Sequence, residues 1–399
     1  MRRRAWFFAV ATGMTLLASS IGCGSLLATP KPLARSNNGP GTLVEIKSLP
    51  DIDPIIRATG AQALRVVYRS TSDADGSTTI VSGAVFIPGG RPPPGGWIVL
   101  AYAHGTSGIN NECGPSLSPN LFGTAPMIAG YLKAGYAVAA PDYQGLGEPG
   151  IHVYLDAKAA GYNVIDAVRA LHNARPGVIS NRWVAVGGSQ GGGASWAAAE
   201  QAPMYAPELH LIAAVNAVPA ANIAGYAQKA ADESMTPTQT AAYVWILMAQ
   251  SRVHPELDMD LYRRGSVQKN WEALSMCFGP RAQERNDDVA KVKPDEVRPS
   301  TPAATRKLAG LLAAMALPQH KSDAPMLVIY AGKDEYIEPA WTHAAIVQAC
   351  RMGSRIEVDF QPDKGHGSFD ASRILPWLGD RVAGKPFHDA CSTQISTDH

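Results

Sequence analysis

Short apolar runs alternate along the chain with stretches of helical periodicity. In 163–174, for example, Val164, Ile165, Val168 and Leu171 recur at the spacing that places them on one face of a helix. Apolar strands separated by helices predict a mostly parallel central sheet that is covered by helices on both faces. The predicted strands are 62–69, 78–87, 97–103, 136–140, 183–186, 209–218, 326–330 and 356–360, of which the first two form an antiparallel pair.

One long segment, 222–317, interrupts this alternation. It holds helical runs at 240–249 and 304–316 and no run with strand composition. We therefore expect a helical cap, or lid, inserted into a sheet domain that comprises 51–221 and 318–399.

The N-terminus has the composition of an export signal. Three arginines follow Met1, and 5–17 is a mostly apolar run, followed by small residues. This run has 13 residues, whereas a helix needs about 20 to span a bilayer. We predict a signal peptide at 1–23 and a linker rich in Pro, Gly, Ser and Asn at 24–50, and hence a secreted, periplasmic or cell-envelope protein. The stretch SIGC that ends at Cys23 resembles a bacterial lipobox, so membrane attachment through a lipidated Cys23 is the alternative to release.

Composition narrows the range of partners. The 399 residues carry 35 basic and 34 acidic side chains, a formal net charge of +1, and no Lys/Arg cluster stands out beyond residue 4. Nucleic acid is therefore not an expected partner. The sequence has no H-E-x-x-H and no C-x-x-C motif, and no G-x-G-x-x-G lies beside the first predicted strand. We expect neither a metal nor a cofactor.

One G-x-S-x-G motif occurs, at 187–191, between the strand-like run 183–186 and the helical run 190–200. The glycines permit a sharp turn that lifts the hydroxyl of Ser189 above the sheet, and the following helix directs its positive end toward it. This context predicts that Ser189 is a nucleophile. The alternatives are a plain turn and a phosphate-binding loop, but the latter requires a lysine that is missing here.

A serine nucleophile needs a general base, and that base needs an acid to orient it. His366 lies between two glycines after the last predicted strand, and Asp334 lies just after the preceding one. We predict His366 as the base and Asp334 as the acid. Glu335, Glu338 and Asp363 are nearby alternatives to Asp334, although Asp363 is so close to the histidine in sequence that turn geometry disfavours it.

The negative oxygen of a tetrahedral intermediate needs hydrogen-bond donors. The backbone N–H of Gln190, directly after the nucleophile, is one candidate. The backbone N–H of Thr106, in the loop 102–108 after an early strand, is the other, and simple turn chemistry is the alternative explanation of that loop. His104 in the same loop is interpreted as a structural residue.

Four cysteines remain once Cys23 is removed with the signal: Cys113, Cys277, Cys350 and Cys391. In an exported chain they permit two disulfides in three connectivities, and buried free thiols are the alternative.

Six short motifs resemble those of the α/β-hydrolase superfamily and, more narrowly, of its secretory lipase family. They are HGT at 104–106, CGPS at 113–116, APDYQG at 140–145, GGSQG at 187–191, GKD at 332–334 and GHG at 365–367. The resemblance covers about 61–382. It implies an α/β-hydrolase fold, hydrolysis of carboxylic esters, a helical cap that acts as a lid, and the disulfides Cys113–Cys277 and Cys350–Cys391. The family includes enzymes for long and for short acyl chains, so the chain length stays open.

The sequence therefore predicts a serine carboxylic-ester hydrolase, a lipase or esterase, that acts on a lipid or small-molecule ester through an acyl-enzyme. A secreted serine peptidase of the same fold is one alternative. A non-catalytic binding module of this fold is another, but such modules typically lack a triad residue, and all three positions are filled here. The natural ester, the oligomeric state and any movement of the cap stay open.

Overall fold

The structure is a computed structural model that describes residues 38–72, 76–278 and 282–396. The predicted signal peptide, Cys23 and residues 24–37 of the predicted linker lie outside the described residues.

The strands of the described chain form one nine-stranded sheet. They are β1 Leu43–Ser48, β2 Gln62–Thr71, β3 Thr78–Ile87, β4 Trp97–Ala103, β5 Ala137–Pro141, β6 Ile179–Gly188, β7 His210–Ala217, β8 Met326–Ala331 and β9 Ile356–Gln361. Their order is β1-β2-β3-β5-β4-β6-β7-β8-β9. The pairs from β1 to β5 are antiparallel, and all pairs from β5 to β9 are parallel. The mostly parallel sheet with an antiparallel opening pair is thus confirmed.

The α-helices of the described chain are α1 Pro54–Arg57, α2 Ala125–Lys133, α3 Ala157–Ala174, α4 Gln190–Tyr205, α5 Gly225–Ala231, α6 Pro237–Val253, α7 Gly265–Lys269, α8 Ala282–Val289, α9 Pro302–Ala314, α10 Pro339–Arg351, α11 Ile374–Val382 and α12 Cys391–Ser396. Some of them cover the two faces of the sheet. Successive residues of β4 show the two layers. Val99 and Ala101 pack with α3 and α4, while Leu100 and Tyr102 pack with α2 and α11. Because side chains alternate across a strand, a strand buried on both faces is apolar throughout.

The prediction that residues 24–50 are a linker is wrong at 43–48, which form the edge strand β1. Backbone hydrogen bonding to β2 holds this strand. Burial along this strand does not follow apolar character: Val44 and Ile46 are exposed, while Leu43 and Glu45 are half-buried. An edge strand of this kind gains its stability from ladder hydrogen bonds, which hydrophobic periodicity does not report.

Between β7 and β8 the described residues are helical and contain no strand. The helices α5–α9 share an apolar core that includes Tyr243, Leu247 and Leu308, and Ile109 and Ile337 of the sheet domain pack into the same cluster. This helical insertion is therefore in contact with the sheet domain. None of the helices in the described part of the chain is long and apolar enough to cross a bilayer.

Two disulfides join distant parts of the fold. Cys113 bonds Cys277, 164 residues away, and connects the loop after β4 to the insertion. Cys350 of α10 bonds Cys391 of α12. These are the pairs that the family resemblance implied.

Candidate active site

Ser189 occupies a strained turn between β6 and α4. Its backbone has φ 59° and ψ −122°, a conformation that a non-glycine residue rarely adopts. A Cβ on Gly187 would lie 2.0 Å from the carbonyl oxygen of Gly191, and a Cβ on Gly191 would lie 2.0 Å from that of Ala103. Only glycine fits at these two positions, so the motif glycines are explained by close backbone packing around the serine.

Asp334 and His366 form a hydrogen-bonded pair at the neighbouring strand ends. His366 Nδ1 lies 2.8 Å from Asp334 Oδ2, and the side chains are 11% and 3% exposed. The other carboxylate oxygen accepts the backbone N–H groups of Tyr336 and Ile337, at 2.9 and 2.8 Å. With Asp334 ionised, Nδ1 is the donor, which leaves Nε2 of a neutral imidazole free to accept a proton.

The three alternative acids have other partners. Glu335 accepts the backbone N–H of His366 at 3.0 Å. Glu338 forms an ion pair with Lys229, and the Asp363 side chain is 88% exposed. Asp334 is thus the carboxylate that contacts the imidazole.

Ser189 and His366 line the same cavity, of about 500 Å³. It opens at the carboxyl ends of the parallel strands, which is where open α/β sheets bind ligands. Within the described chain, no hydrogen bond joins the Ser189 hydroxyl to His366; such contacts are often long before substrate binds. Apolar and aromatic side chains form most of the remaining wall: Tyr154, Leu155, Ala220, Tyr226, Ala241, Ala242, Trp245, Phe278, Tyr336 and Ile337.

The two predicted oxyanion donors flank Ser189. Gln190 is the first residue of α4, where backbone N–H groups have no acceptor within the helix and carry the positive end of its dipole. The loop of Thr106 runs beside the Ser189 turn: a Cβ on the neighbouring Gly105 would lie 3.9 Å from Ser189 Cβ. Thr106 also lines the cavity, and its hydroxyl lies 2.9 Å from that of Tyr154.

Sequence reasoning missed the role of His152. Its Nε2 lies 3.0 Å from the side-chain nitrogen of Gln190, and its Nδ1 lies 2.9 Å from the carbonyl oxygen of Gln144. Burial lowers the pKa of His152 to about 4, so the ring is neutral and accepts from Gln190. The residue lies in an irregular loop with no motif, and only the chain fold brings it against α4.

Asp142 ties the loops around the site together. Its carboxylate accepts the Ser82 hydroxyl at 2.6 Å and the backbone N–H of Ser116 at 2.8 Å. Its backbone carbonyl lies 3.1 Å from Nε2 of His104, and burial lowers the pKa of that histidine. These contacts explain the CGPS and APDYQG motifs as structural, and they agree with the interpretation of His104.

Among the described residues, Glu112 lies beside Cys113 and Cys277 in a group that could in principle hold a metal. The two sulfurs are bonded to each other, so they are not available as thiolate ligands.

Comparisons with known proteins identify the family. The model of the secretory lipase family matches residues 124–390, which include Ser189, Asp334 and His366. Lipase A of Arthroderma benhamiae is 26% identical over 383 residues, which cover 89% of this chain and 78% of that protein. A probable inactive lipase of Mycobacterium tuberculosis is 26% identical over 353 residues, covering 82% and 75% of the two chains.

Solved structures share the fold. Candida antarctica lipase A in its closed state superposes with a TM-score of 0.72 at 18% identity, covering 89% of this chain and 86% of that one. A ligand-bound form of the rice cell wall degrading esterase LipA from Xanthomonas oryzae gives a TM-score of 0.65 at 20% identity, covering 90% and 97%. The chain therefore belongs to the secretory lipase family and is a carboxylic-ester hydrolase with the α/β-hydrolase fold.

Proposed function

We propose that the protein is a serine lipase or esterase in which Ser189, His366 and Asp334 form the catalytic triad. The observation that carries this proposal is the Asp334–His366 hydrogen bond in a cavity that also contains the strained Ser189 turn. A base already held by an acid, next to a hydroxyl projected by a strained turn, is the arrangement that nucleophilic acyl transfer requires.

The chemistry follows from these positions. Nε2 of His366 takes the Ser189 proton as the hydroxyl oxygen attacks the ester carbonyl, and Asp334 stabilises the resulting imidazolium. The N–H groups of Gln190 and Thr106 hold the negative oxygen of the tetrahedral intermediate. His366 then protonates the leaving alcohol, an acyl-enzyme remains, and water activated by the same histidine releases the acid.

The substrate is a lipid or small-molecule ester, since the cavity wall is mainly apolar and accommodates an acyl chain or an aromatic ring. The helical insertion serves as the cap of residues 222–317, and it contributes Trp245 and Phe278 to that wall. Export to the cell envelope or beyond accords with the two disulfides, which persist in oxidising compartments. Removal of residues 1–23, or lipidation of Cys23, belongs to the same proposal.

The test is hydrolysis of p-nitrophenyl esters from acetate to palmitate by wild type and Ser189→Ala. We expect a rate loss of roughly 10⁴- to 10⁶-fold in the variant, as when a triad nucleophile is removed. Ser234→Ala, at an exposed serine outside the cavity, is the matched control and should keep wild-type rates. An inert wild type, or a Ser189→Ala variant as active as wild type, would contradict the proposal and favour the peptidase or the binding module.

A further inference from the structure

Arg285 is a buried cation in the wall of the Ser189 cavity. It lies on α8 of the insertion, is 2% exposed, and lines the cavity together with Ser189 and His366. Its Nε donates to the carbonyl oxygen of Leu274 at 2.9 Å, and its Nη2 donates to that of Ala241 at 2.8 Å. Within the described chain, Nη1 makes no hydrogen bond.

No carboxylate of the described residues forms an ion pair with Arg285. Its guanidinium instead lies over the face of the uncharged Trp245 ring, with the guanidinium carbon 3.5 Å from the ring centroid. Glu335 lines the same cavity, but its side chain is exposed and accepts the backbone N–H of His366. Burial lowers the pKa of Arg285 to about 10, so the side chain is still charged at neutral pH. A buried charge without a counterion is costly, and proteins normally pair it.

A series of contacts leads from Arg285 to Thr106, which lines the same cavity as Ser189. The guanidinium lies over Trp245, and Trp245 meets Tyr154 edge to face at 6.1 Å between ring centroids. Tyr154 reaches the hydroxyl of Thr106, beside Ser189. The aromatic rings in this cavity wall suit a methylene chain, and the cation in the same wall suits an anion.

We propose, on the basis of the ester hydrolase function above, that the preferred substrates are esters that carry a carboxylate several carbons from the scissile bond, and that Arg285 binds this carboxylate. The carboxylate supplies the missing counterion, and the guanidinium fork offers the charge-assisted hydrogen bonds that carboxylates accept. Arg285 is thus a residue that determines specificity and takes no part in bond making.

The experiment compares three matched p-nitrophenyl substrates at each acyl length of six, eight and ten carbons. These are the dicarboxylic half-ester with a free carboxylate, the same molecule with that carboxylate capped as a methyl ester, and the simple alkanoate. Adipate is the shortest half-ester used, because shorter ones hydrolyse through their own carboxylate. A second arm places the carboxylate on the alcohol part of the ester. It compares 6-acetoxyhexanoate with its methyl ester, and the rate of acetate release is measured for both.

We expect wild type to have a higher kcat/KM for the free carboxylate than for its capped partner, at one acyl length or in the alcohol arm. Arg285→Gln should lower that ratio about tenfold to a hundredfold, the usual range for a charge-assisted hydrogen bond. Arg285→Lys should keep an intermediate ratio. Arg252→Gln removes a half-buried arginine of the insertion that does not line the cavity, and should leave the ratio at the wild-type value.

A wild type that favours the capped ester in both arms would overturn the proposal, even if Arg285→Gln does not fold. Equal ratios in wild type and a folded Arg285→Gln would overturn it as well. Both outcomes require activity on simple alkanoates, so they differ from failure of the hydrolase function, in which wild type is inert on every substrate.

Discussion

Two regions differ in how their buried charges are paired: the carboxyl-terminal edge of the sheet, where Ser189 lies, and the helical insertion. At the sheet edge, Asp334 has the imidazole of His366 and two backbone N–H groups. In the insertion, Arg285 has two backbone carbonyls and an aromatic ring but no carboxylate among the described residues. The protein alone therefore orients the reacting groups, while the charge in the insertion is left for a ligand. In the proposed function, orientation of the triad depends on the sheet and choice of substrate depends on the insertion.

The largest effect should come from breaking the charge pairing at the sheet edge. Asp334→Asn keeps the shape of the side chain but favours the wrong tautomer of His366, and we expect kcat to fall by about 10⁴-fold. Glu335→Gln is the neighbouring control: it keeps an acceptor for the backbone N–H of His366 and should cost less than about tenfold. Initial rates on p-nitrophenyl butyrate measure both. A large loss in Glu335→Gln together with little loss in Asp334→Asn would mean that Glu335, and not Asp334, supports the base.

A smaller effect should come from disturbing the tightly packed turn around Ser189, which belongs to the sheet domain. A Cβ at Gly191 would lie 2.0 Å from a backbone oxygen of Ala103, whereas a Cβ at Gly188 would meet its nearest atom at 3.9 Å. We expect Gly191→Ala to destabilise the fold by about 3 kcal/mol, as overpacking against backbone does. Gly188→Ala should change stability by about 0.5 kcal/mol or less. Urea unfolding followed by circular dichroism compares them, and equal midpoints would show that the turn yields easily.

An effect that is absent at neutral pH and develops only in acid concerns His152, which accepts a hydrogen bond from Gln190, the first residue of α4. Its pKa is lowered by burial to about 4, from 6.5 in an unperturbed histidine. As the pH falls from about 6.5 to about 4, the unfolded chain binds a proton that the folded chain rejects, so the folded state loses stability. We expect wild type to lose up to about 3 kcal/mol more than His152→Gln across this window. Unfolding free energies at pH 4.5, 5.5, 6.5 and 7.5 measure the difference, and parallel pH profiles would refute it.

The sequence alone was enough to predict the sheet and the candidate triad, because both depend on local signals. A fully apolar run with helical segments on either side is a buried parallel strand in most settings, and β4 and β8 follow that rule. Ser189, Asp334 and His366 lie within five residues of the carboxyl ends of the parallel strands β6, β8 and β9. The carboxyl ends of parallel strands lie at the same edge of a sheet. The positions of these three residues in the sequence were therefore enough to predict that they lie close together.

Only the tertiary structure revealed the edge strand β1 and the buried positions of His152 and Arg285, and the physical reason is the same for all three. The edge strand β1 is stabilised by hydrogen bonds to β2, its neighbour in the sheet, and two of its apolar side chains, Val44 and Ile46, are exposed. His152 and Arg285 are ordinary loop and helix residues until packing removes them from water. Periodicity and motifs report interactions between residues close in the chain, whereas the cost of burying a charge depends on which distant groups surround it.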